Sequence, residues 1–198
     1  MKSIEFFKET ISTEMQAALE AINEEALLNA AQLIWDAEAA GNRIHITGIG
    51  KPAHIAGYMA SLMSSTGTPT YYLHGTEAVH GSCGQLREGD VVIAISNSGE
   101  TAELKATALA VRNNGCKVIS VTGNPESWLA KFADAHITAA VSNEGGPLNR
   151  APRASILVET LMLQALSVVL QDKRAITPQE YVKRHPGGAL GQLRDNEK

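Results

Sequence analysis

The sequence predicts a three-layer α/β domain in which helices flank a doubly wound, mostly parallel sheet of five strands. Five short apolar runs rich in β-branched residues recur along the chain, and segments of helical length separate most of them. Consecutive parallel strands need such crossovers, whereas antiparallel hairpins do not. With 198 residues and a hydrophobic content of 44%, the chain can fill one sizeable core, so we expect a single structural domain.

The first 40 residues predict two helices that pack on the same domain as residues 41–198. This segment is rich in Ala, Glu and Leu, and the two helices meet near Asn23. Apolar residues recur in it at helical spacing, namely Phe7, Ile11, Met15, Ala18 and Ile22.

The predicted strands and helices then alternate along the chain. The strands are residues 43–47, 68–73, 91–96, 117–122 and 136–141. Asn124 and Pro125 predict the start of one helix, as its cap and first-turn proline. A long core helix is expected over about residues 154–170, and a last short helix begins at Thr177 and Pro178.

Composition and charge exclude several classes of function. The formal net charge of -4 gives no basic patch, so we expect neither a nucleic-acid partner nor an acidic membrane surface. No apolar run is expected to reach membrane-spanning length. Cys83 and Cys116 form no CxxC pair, which predicts no disulfide scaffold and fits the reducing cytoplasm. His80 and Cys83, three residues apart, lack a complete set of metal ligands, so no metal is expected.

The segment after the third predicted strand, residues 96–101 (SNSGET), carries three hydroxyls around one turn. It lies where parallel sheets bind ligands, and Gly99 frees backbone N–H groups beside the hydroxyls. Because helix amino termini favour anions, we expect a phosphate site formed by Ser96, Asn97, Ser98 and Thr101. The alternative is that Ser98 or Thr101 merely caps the following helix.

The turn after the first predicted strand, residues 48–53 (GIGKPA), satisfies the loose dinucleotide-binding fingerprint GxGxxA. Such a site needs an acidic residue at the end of the second strand, and residues 71–75 (YYLHG), where the second predicted strand ends, contain none. A Walker A loop also fails, because no second glycine precedes Lys51 at the required spacing and no Ser or Thr follows it. We expect Gly50 and Lys51 to face an anionic ligand; the alternative for Lys51 is an exposed first-turn lysine.

Three further side chains are candidates for acid–base chemistry. His80 lies in a long loop, residues 74–89, and is followed by a glycine that would let it approach a ligand. Glu103 lies in the first turn of the helix after the serine segment, where a carboxylate also suits the helix dipole without any function. Glu144 follows the fifth predicted strand and precedes two glycines, which makes it the better-placed proton-transfer group.

Together these motifs resemble the sugar isomerase (SIS) domain, and most closely the arabinose-5-phosphate isomerases of bacterial Kdo biosynthesis. The resemblance covers about residues 41–193. The matching stretches are TGIGK at 47–51, STGTP at 65–69, EAVHG at 77–81, ISNSGE at 95–100, TGNPES at 122–127 and HPGGALG at 185–191. The serine segment marks the broad SIS class, and the terminal HPGGALG marks this isomerase subgroup.

The resemblance implies reversible isomerisation of D-arabinose 5-phosphate and D-ribulose 5-phosphate through an enediol, without an organic cofactor, in the Kdo pathway. It assigns the active site to Lys51, His80, Glu103, Glu144 and His185. His185 or Glu144 would move the proton, His80 would assist ring opening and Lys51 would stabilise the enediolate. The family is homotetrameric with sites built across subunits, which would explain why His185 lies so far along the chain.

Two departures from the family pattern affect the expected function. Related isomerases carry a pair of cystathionine-synthase-type (CBS) regulatory domains after the terminal motif, whereas this chain stops at Lys198, so we expect a form without them. Arg150 and Arg153 stand in a segment that the family fills with Ser and Thr, which leaves the details of substrate preference open. The alternative functions are a non-catalytic sugar-phosphate-binding regulatory module and an isomerase of another sugar phosphate.

Overall fold

The computed structural model describes all residues, 1–198, and contains a five-stranded sheet in which every neighbouring pair is parallel. The strands are β1 (Ile44–Gly48), β2 (Thr70–Tyr72), β3 (Val91–Ile95), β4 (Lys117–Thr122) and β5 (Ala135–Thr138), in the spatial order β2-β1-β3-β4-β5. The predicted α/β fold is confirmed. The two edge strands, β2 and β5, are shorter than the apolar runs that predicted them.

Eight α-helices surround the sheet. They are α1 (Lys2–Glu20), α2 (Glu24–Ala39), α3 (Lys51–Ser65), α4 (Gly75–Ala78), α5 (Ala102–Asn113), α6 (Trp128–Phe132), α7 (Ala154–Arg174) and α8 (Pro178–Arg184). Asn23 separates α1 from α2 as predicted, because its side-chain oxygen accepts a hydrogen bond from the Ala26 N–H at 3.0 Å and so caps α2.

Alternate residues of the central strands face two hydrophobic cores. Ile93 and Ile95 of β3 pack into the larger core with α1, α2, α3 and α7, whereas Val92 and Ala94 pack against α4, α5 and α6. All five residues of β3 are buried, which is typical of a parallel strand that helices cover on both faces. The sheet is therefore the middle of three layers.

The chain leaves the middle of the sheet in opposite directions. From β1 it passes through α3 to β2 on one side, and from β3 it passes through α5 to β4 and β5 on the other. Gly48 at the end of β1 is in register with Ile95 at the end of β3. The crevice outside these two strand ends is the topological switch point, where open parallel sheets bind ligands.

The predicted start of the helix after β4 was wrong. The Ser127 hydroxyl, not Asn124, caps α6 by accepting a hydrogen bond from the Ala130 N–H. Asn124 instead belongs to the preceding turn, in which its carbonyl accepts a hydrogen bond from the Ser127 N–H at 3.1 Å. The helix therefore begins at Trp128, later than the sequence predicted.

The expectation that no segment reaches membrane-spanning length was also wrong for α7. This helix has 21 residues and contains an 18-residue window with a mean hydropathy of 1.6, so its length and composition alone would allow it to cross a membrane. It packs against α1, α2 and α3, and nine of its residues are buried. Its apolar character is accounted for by its place in the larger core.

Candidate functional site

The serine loop (residues 96–101) closes on itself at the end of β3. Ser96 is buried, and its hydroxyl accepts a hydrogen bond from the Gly99 N–H at 3.1 Å and pairs with the Thr101 hydroxyl at 3.2 Å. The Ser98 hydroxyl accepts a hydrogen bond from the Glu100 N–H at 3.2 Å. Thr101 stands at the N-cap position of α5 but its side chain makes no capping hydrogen bond. Simple capping therefore does not account for the hydroxyls of this loop.

Gly99 and Asn97 hold the serine loop against the loop after β4. Gly99 has a φ of +65°, and a side chain there would collide with the Ser127 hydroxyl. The Asn97 carbonyl accepts a hydrogen bond from the Gly123 N–H at 2.9 Å. The side chains of Asn97 and Ser98 remain exposed at the carboxyl edge of the sheet. The loop is thus held on its inner side and open on its outer side.

The glycine turn after β1 places Lys51 beside this loop. A Cβ at Gly48 would lie within 3.0 Å of Pro52 atoms, so the missing side chain lets α3 pack directly on the strand. Gly50 has a φ of 67° and turns the chain into α3, whose first residue is Lys51. The Lys51 side chain is exposed and forms no ion pair. A cation at a helix amino terminus is unfavourable, and a bound anion would compensate it.

Glu144 lies at the same edge, but its carboxylate is already partly engaged. The side chain is 8% exposed, and its Oε2 accepts hydrogen bonds from the Arg153 N–H at 2.6 Å and the Ser155 N–H at 3.1 Å. Glu144 therefore caps the amino terminus of α7, a role that the sequence analysis did not anticipate. Its Oε1 accepts no hydrogen bond and remains available to a ligand.

Two residues that the sequence analysis missed support the Glu144 loop. The two carboxylate oxygens of Glu14 on α1 accept hydrogen bonds from the Ser142 and Asn143 N–H groups at 3.0 and 2.9 Å. Asn149, with a φ of 46°, accepts a hydrogen bond from the Glu144 N–H through its side chain at 2.6 Å. Glu14 is a buried carboxylate on α1, and these two hydrogen bonds satisfy its oxygens. Its contact with Ser142 joins residues that are 128 positions apart in the sequence.

His80 and Glu103 lie on two short elements that pack together. His80 follows α4, and α4 is fixed to α5 by a hydrogen bond from the Thr107 hydroxyl to the Gly75 carbonyl. Glu103 lies in the first turn of α5. The side chains of His80 and Glu103 are exposed and make no hydrogen bond within the chain. Both are therefore free to contact a ligand or a neighbouring subunit.

His185 does not join these groups within one chain. Helix α7 begins beside Glu144 at the carboxyl edge of the sheet and, with 21 residues, extends about 30 Å. Its last residue, Arg174, donates a hydrogen bond at 3.1 Å to Thr68, just before β2 at the opposite edge. His185 follows α8, which begins beyond that end, and its side chain contacts Tyr181 and none of the residues of the site.

The ring of His185 is nevertheless held in a defined orientation. It stacks on Tyr181 with ring centroids 4.1 Å apart, and its Nδ1 is 3.0 Å from the Tyr181 carbonyl. A carbonyl only accepts, so Nδ1 must carry the hydrogen and the neutral ring presents Nε2 as an acceptor. This arrangement leaves Nε2 available as a proton acceptor.

Glu159 is a buried carboxyl group that the sequence analysis also missed. It is 0% exposed, and neither carboxylate oxygen has a hydrogen-bond partner. Burial, together with the nearby Glu144 charge, raises the pKa of Glu159 from 4.5 to about 8. The signal was present in the sequence, because Glu159 is the only charged residue in the apolar stretch 154–170.

A Glu159→Gln variant is expected to be stabilised relative to the natural chain at neutral pH. Because folding raises the pKa of Glu159, the folded state keeps a proton that the unfolded state has released, and stability falls as pH rises from about 4.5 to about 8. Gln cannot titrate. Its advantage in unfolding free energy should therefore grow by about 3 kcal/mol between pH 5 and pH 7, measured by urea denaturation.

The exposed Glu9→Gln variant is the control for this measurement, because Glu9 makes no hydrogen bond and lies on the solvent face of α1. Its stability relative to the natural chain should not change over the same pH range. A Glu159→Gln advantage that is also constant with pH would show that Glu159 titrates normally in the folded state.

Comparison with known proteins identifies the family. The SIS domain profile matches residues 39–169, about two thirds of the chain. The chain belongs to the SIS domain family. The matched part of this SIS domain runs from the end of α2 to near the end of α7 and so contains the serine loop, Lys51, His80, Glu103 and Glu144. His185 lies outside it.

Curated relatives show how far the similarity extends. The chain is 42% identical over 153 residues, 77% of its length, to arabinose 5-phosphate isomerase KdsD of Pseudomonas aeruginosa. It is 37% identical over 187 residues, 93% of its length, to KdsD of Escherichia coli K12. These alignments cover 47% and 56% of the relatives, so the chain spans about half the length of the curated relatives it matches.

The structural comparison extends over nearly the whole chain. The Escherichia coli CFT073 protein c3406, solved in complex with arabinose 5-phosphate, superposes with a TM-score of 0.83 and 33% identity. The match covers 92% of this chain and 95% of that chain. The predicted assignment to the SIS domain family is thereby confirmed by both sequence and structure.

Proposed function

We propose that this SIS domain is an aldose–ketose isomerase that interconverts D-arabinose 5-phosphate and D-ribulose 5-phosphate. The observation that carries the proposal is the closed serine loop beside the unpaired Lys51 at the switch point of the sheet. The identity to relatives named arabinose 5-phosphate isomerase supports the substrate, as does the similarity to a protein solved with arabinose 5-phosphate.

The serine loop is the proposed phosphate site. The exposed outer side of residues 97 and 98 presents a hydroxyl, an amide and backbone N–H groups to the crevice, and the first turn of α5 follows directly. These are the groups that bind phosphate at a helix amino terminus. Ser96 and Thr101 hold the loop in shape through their mutual hydrogen bond and bind the phosphate through the same turn.

Lys51 and Glu144 are the proposed reacting groups of the same chain. A phosphate in the serine loop would direct C1 and C2 of the sugar towards the end of β1, where Lys51 begins α3. A lysine ammonium there stabilises the negative charge that develops on the enediolate oxygen. The free Oε1 of Glu144 accepts or returns a proton, and His80 assists opening of the sugar ring.

His185 is proposed to reach the site from another copy of the chain. It comes after the end of α7 that lies away from Glu144, its ring is paired with Tyr181 and with no residue of the site, and its Nε2 is left as an acceptor. A homotetramer with shared sites supplies this second copy and also covers the exposed His80 and Glu103. The reaction moves one proton between C1 and C2 and another between their oxygens, with no net oxidation or reduction of the substrate, so the enediol route calls for neither an organic cofactor nor a metal.

The cellular setting is part of the proposal. The cysteines, Cys83 and Cys116, are both free thiols, which supports a reducing cytoplasm. In that compartment the product, arabinose 5-phosphate, would supply the Kdo pathway.

Incubation of the chain with D-ribulose 5-phosphate in heavy water tests the proposal. We expect D-arabinose 5-phosphate to form and deuterium to enter the exchangeable carbon, because an enediol intermediate exchanges its proton with solvent. Unphosphorylated D-ribulose is the matched control and should react far more slowly, since it cannot engage the serine loop.

The alternative functions predict different results in the same experiment. A regulatory sugar-phosphate-binding module would bind ribulose 5-phosphate without turnover or exchange. An isomerase of another sugar phosphate would show faster exchange with sedoheptulose 7-phosphate or a hexulose phosphate than with ribulose 5-phosphate. Either outcome would reject the proposed substrate.

A further inference from the structure

A cleft next to the serine loop is lined by three cationic side chains, one of which is Lys51 of the proposed active site. The cleft has a volume of about 560 Å³ and is lined by Lys51 from α3 and by residues 147–148 and 150–153 of the loop before α7. Arg150 and Arg153 contribute two guanidinium groups to the same space. The volume falls within the range of small-molecule sites.

The three cations of this cleft have no acidic partner. None of them takes part in any of the ion pairs of the chain, and no Asp or Glu lines the cleft. The neighbouring carboxylate of Glu144 accepts hydrogen bonds at Oε2 from the backbone N–H groups of Arg153 and Ser155. Unpaired like charges in one cleft repel each other, and an anion would relieve this repulsion.

The guanidinium group of Arg153 is positioned by the chain itself. Its Nη1 occupies the space that a Cβ would need at Gly146, so the missing side chain of that glycine makes room for it. The Arg153 Nη1 also donates a weak hydrogen bond to the Ala151 carbonyl at 3.5 Å, and its backbone N–H is held by Glu144. The arginine is therefore held by the loop that forms the cleft.

The cleft and the serine loop lie on either side of the proposed reaction centre. Lys51 adjoins both the cleft and the serine loop. It lines the cleft, and it follows the end of β1, which is in register with the end of β3, where the serine loop begins. Neighbouring strands are about 5 Å apart, so a ligand of the size of a pentose can extend from the loop after β3 into the cleft. One end of such a ligand would meet the serine loop, and the other end would meet the arginines.

We propose that this cleft is a second anion subsite, and that the site binds sugar phosphates carrying a second acidic group at the end opposite the phosphate. The second group is a carboxylate or a second phosphate, both of which accept paired hydrogen bonds from a guanidinium. This inference rests on the proposed function, because it takes the serine loop to be the site of the first phosphate.

Binding of three matched ligands to the full chain tests the subsite. D-arabinitol 5-phosphate, 5-phospho-D-arabinonate and D-arabinitol 1,5-bisphosphate share five carbons and differ only at C1, and none of them can be isomerised. By titration calorimetry, the carboxylate, the bisphosphate or both should bind at least about tenfold more tightly than arabinitol 5-phosphate. The ligand that gains affinity identifies which acidic group the cleft accepts.

The variant Arg150→Ser/Arg153→Ser should lose this advantage while binding arabinitol 5-phosphate within about twofold of the natural chain. Arg87→Ser is the control, because Arg87 is exposed before β3 at the amino edge of the sheet. If the double variant does not fold, the two single variants should each lose about threefold of the advantage. The proposal is wrong if the advantage survives in the double variant, or if the natural chain binds all three ligands equally. It is also wrong if the substitutions change only the oligomeric state.

Isomerisation of ribulose 5-phosphate, measured on the same proteins, separates this inference from the proposed function. An arginine-dependent advantage without turnover would reject the isomerase and keep the subsite. Turnover without any arginine-dependent advantage would keep the isomerase and reject the subsite.

Discussion

A Lys51→Met variant is expected to isomerise ribulose 5-phosphate about 100- to 1,000-fold more slowly than the natural chain, with most of the loss in kcat. Methionine keeps much of the length of the side chain and removes the ammonium group. In the proposed mechanism that group stabilises the enediolate, which is absent from the bound substrate, so its loss should act on the transition state and affect KM little. Initial rates over a range of substrate concentrations give both constants.

The Lys8→Met variant is the control, because Lys8 is exposed on α1 and forms no ion pair. It should keep full activity. A Lys51→Met variant that loses substrate affinity at unchanged kcat would assign Lys51 to the phosphate and not to the enediolate. Full activity would remove Lys51 from the site.

Mixing two inactive variants, Lys51→Met and His185→Ala, is expected to restore activity. If each site takes Lys51 from one copy and His185 from another, random mixing of equal amounts gives both groups in about a quarter of the sites. Activity should therefore rise from the background to about a quarter of the natural value. Subunits are exchanged by dilution or co-expression, and the fraction of mixed oligomers is measured by native mass spectrometry.

The double variant, Lys51→Met with His185→Ala, mixed with Lys51→Met provides the control, because no site in that mixture contains Lys51. It should stay at the background. Mixed oligomers without restored activity would contradict a shared site. Full activity of His185→Ala on its own would reject any role for the terminal motif.

The parts of the site that were predictable are those in which neighbouring residues act together. The three hydroxyls of the serine loop lie within a single short segment, directly after an apolar run, so their meeting follows from local chain geometry. The glycine turn before Lys51 is equally local. The fold was predictable for the same reason, because the local periodicity of apolar residues indicates which segments are strands and which are helices.

The parts that were missed depend on contacts between distant segments. Glu14 and Ser142 meet because α1 packs on the larger core, and no local pattern relates residues 128 positions apart. The predicted start of α6 was wrong for a similar reason. The Trp128 N–H donates to the Glu100 carboxylate at 2.7 Å and the Leu129 N–H donates to the Gly99 carbonyl at 3.1 Å, so the serine loop fixes where that helix begins.

Helix α7 connects the loop that carries Glu144 to the segment that carries His185. The Glu144 carboxylate accepts hydrogen bonds from backbone N–H groups at the start of α7, and Arg174 in the last turn of α7 donates a hydrogen bond to Thr68. In the proposed assembly, Glu144 serves one reaction centre while His185, beyond the other end, serves a second. A rigid rod of about 30 Å would then join neighbouring centres, and a shift of one would be transmitted to the next. Such a connection would make the sites cooperative through the fold itself.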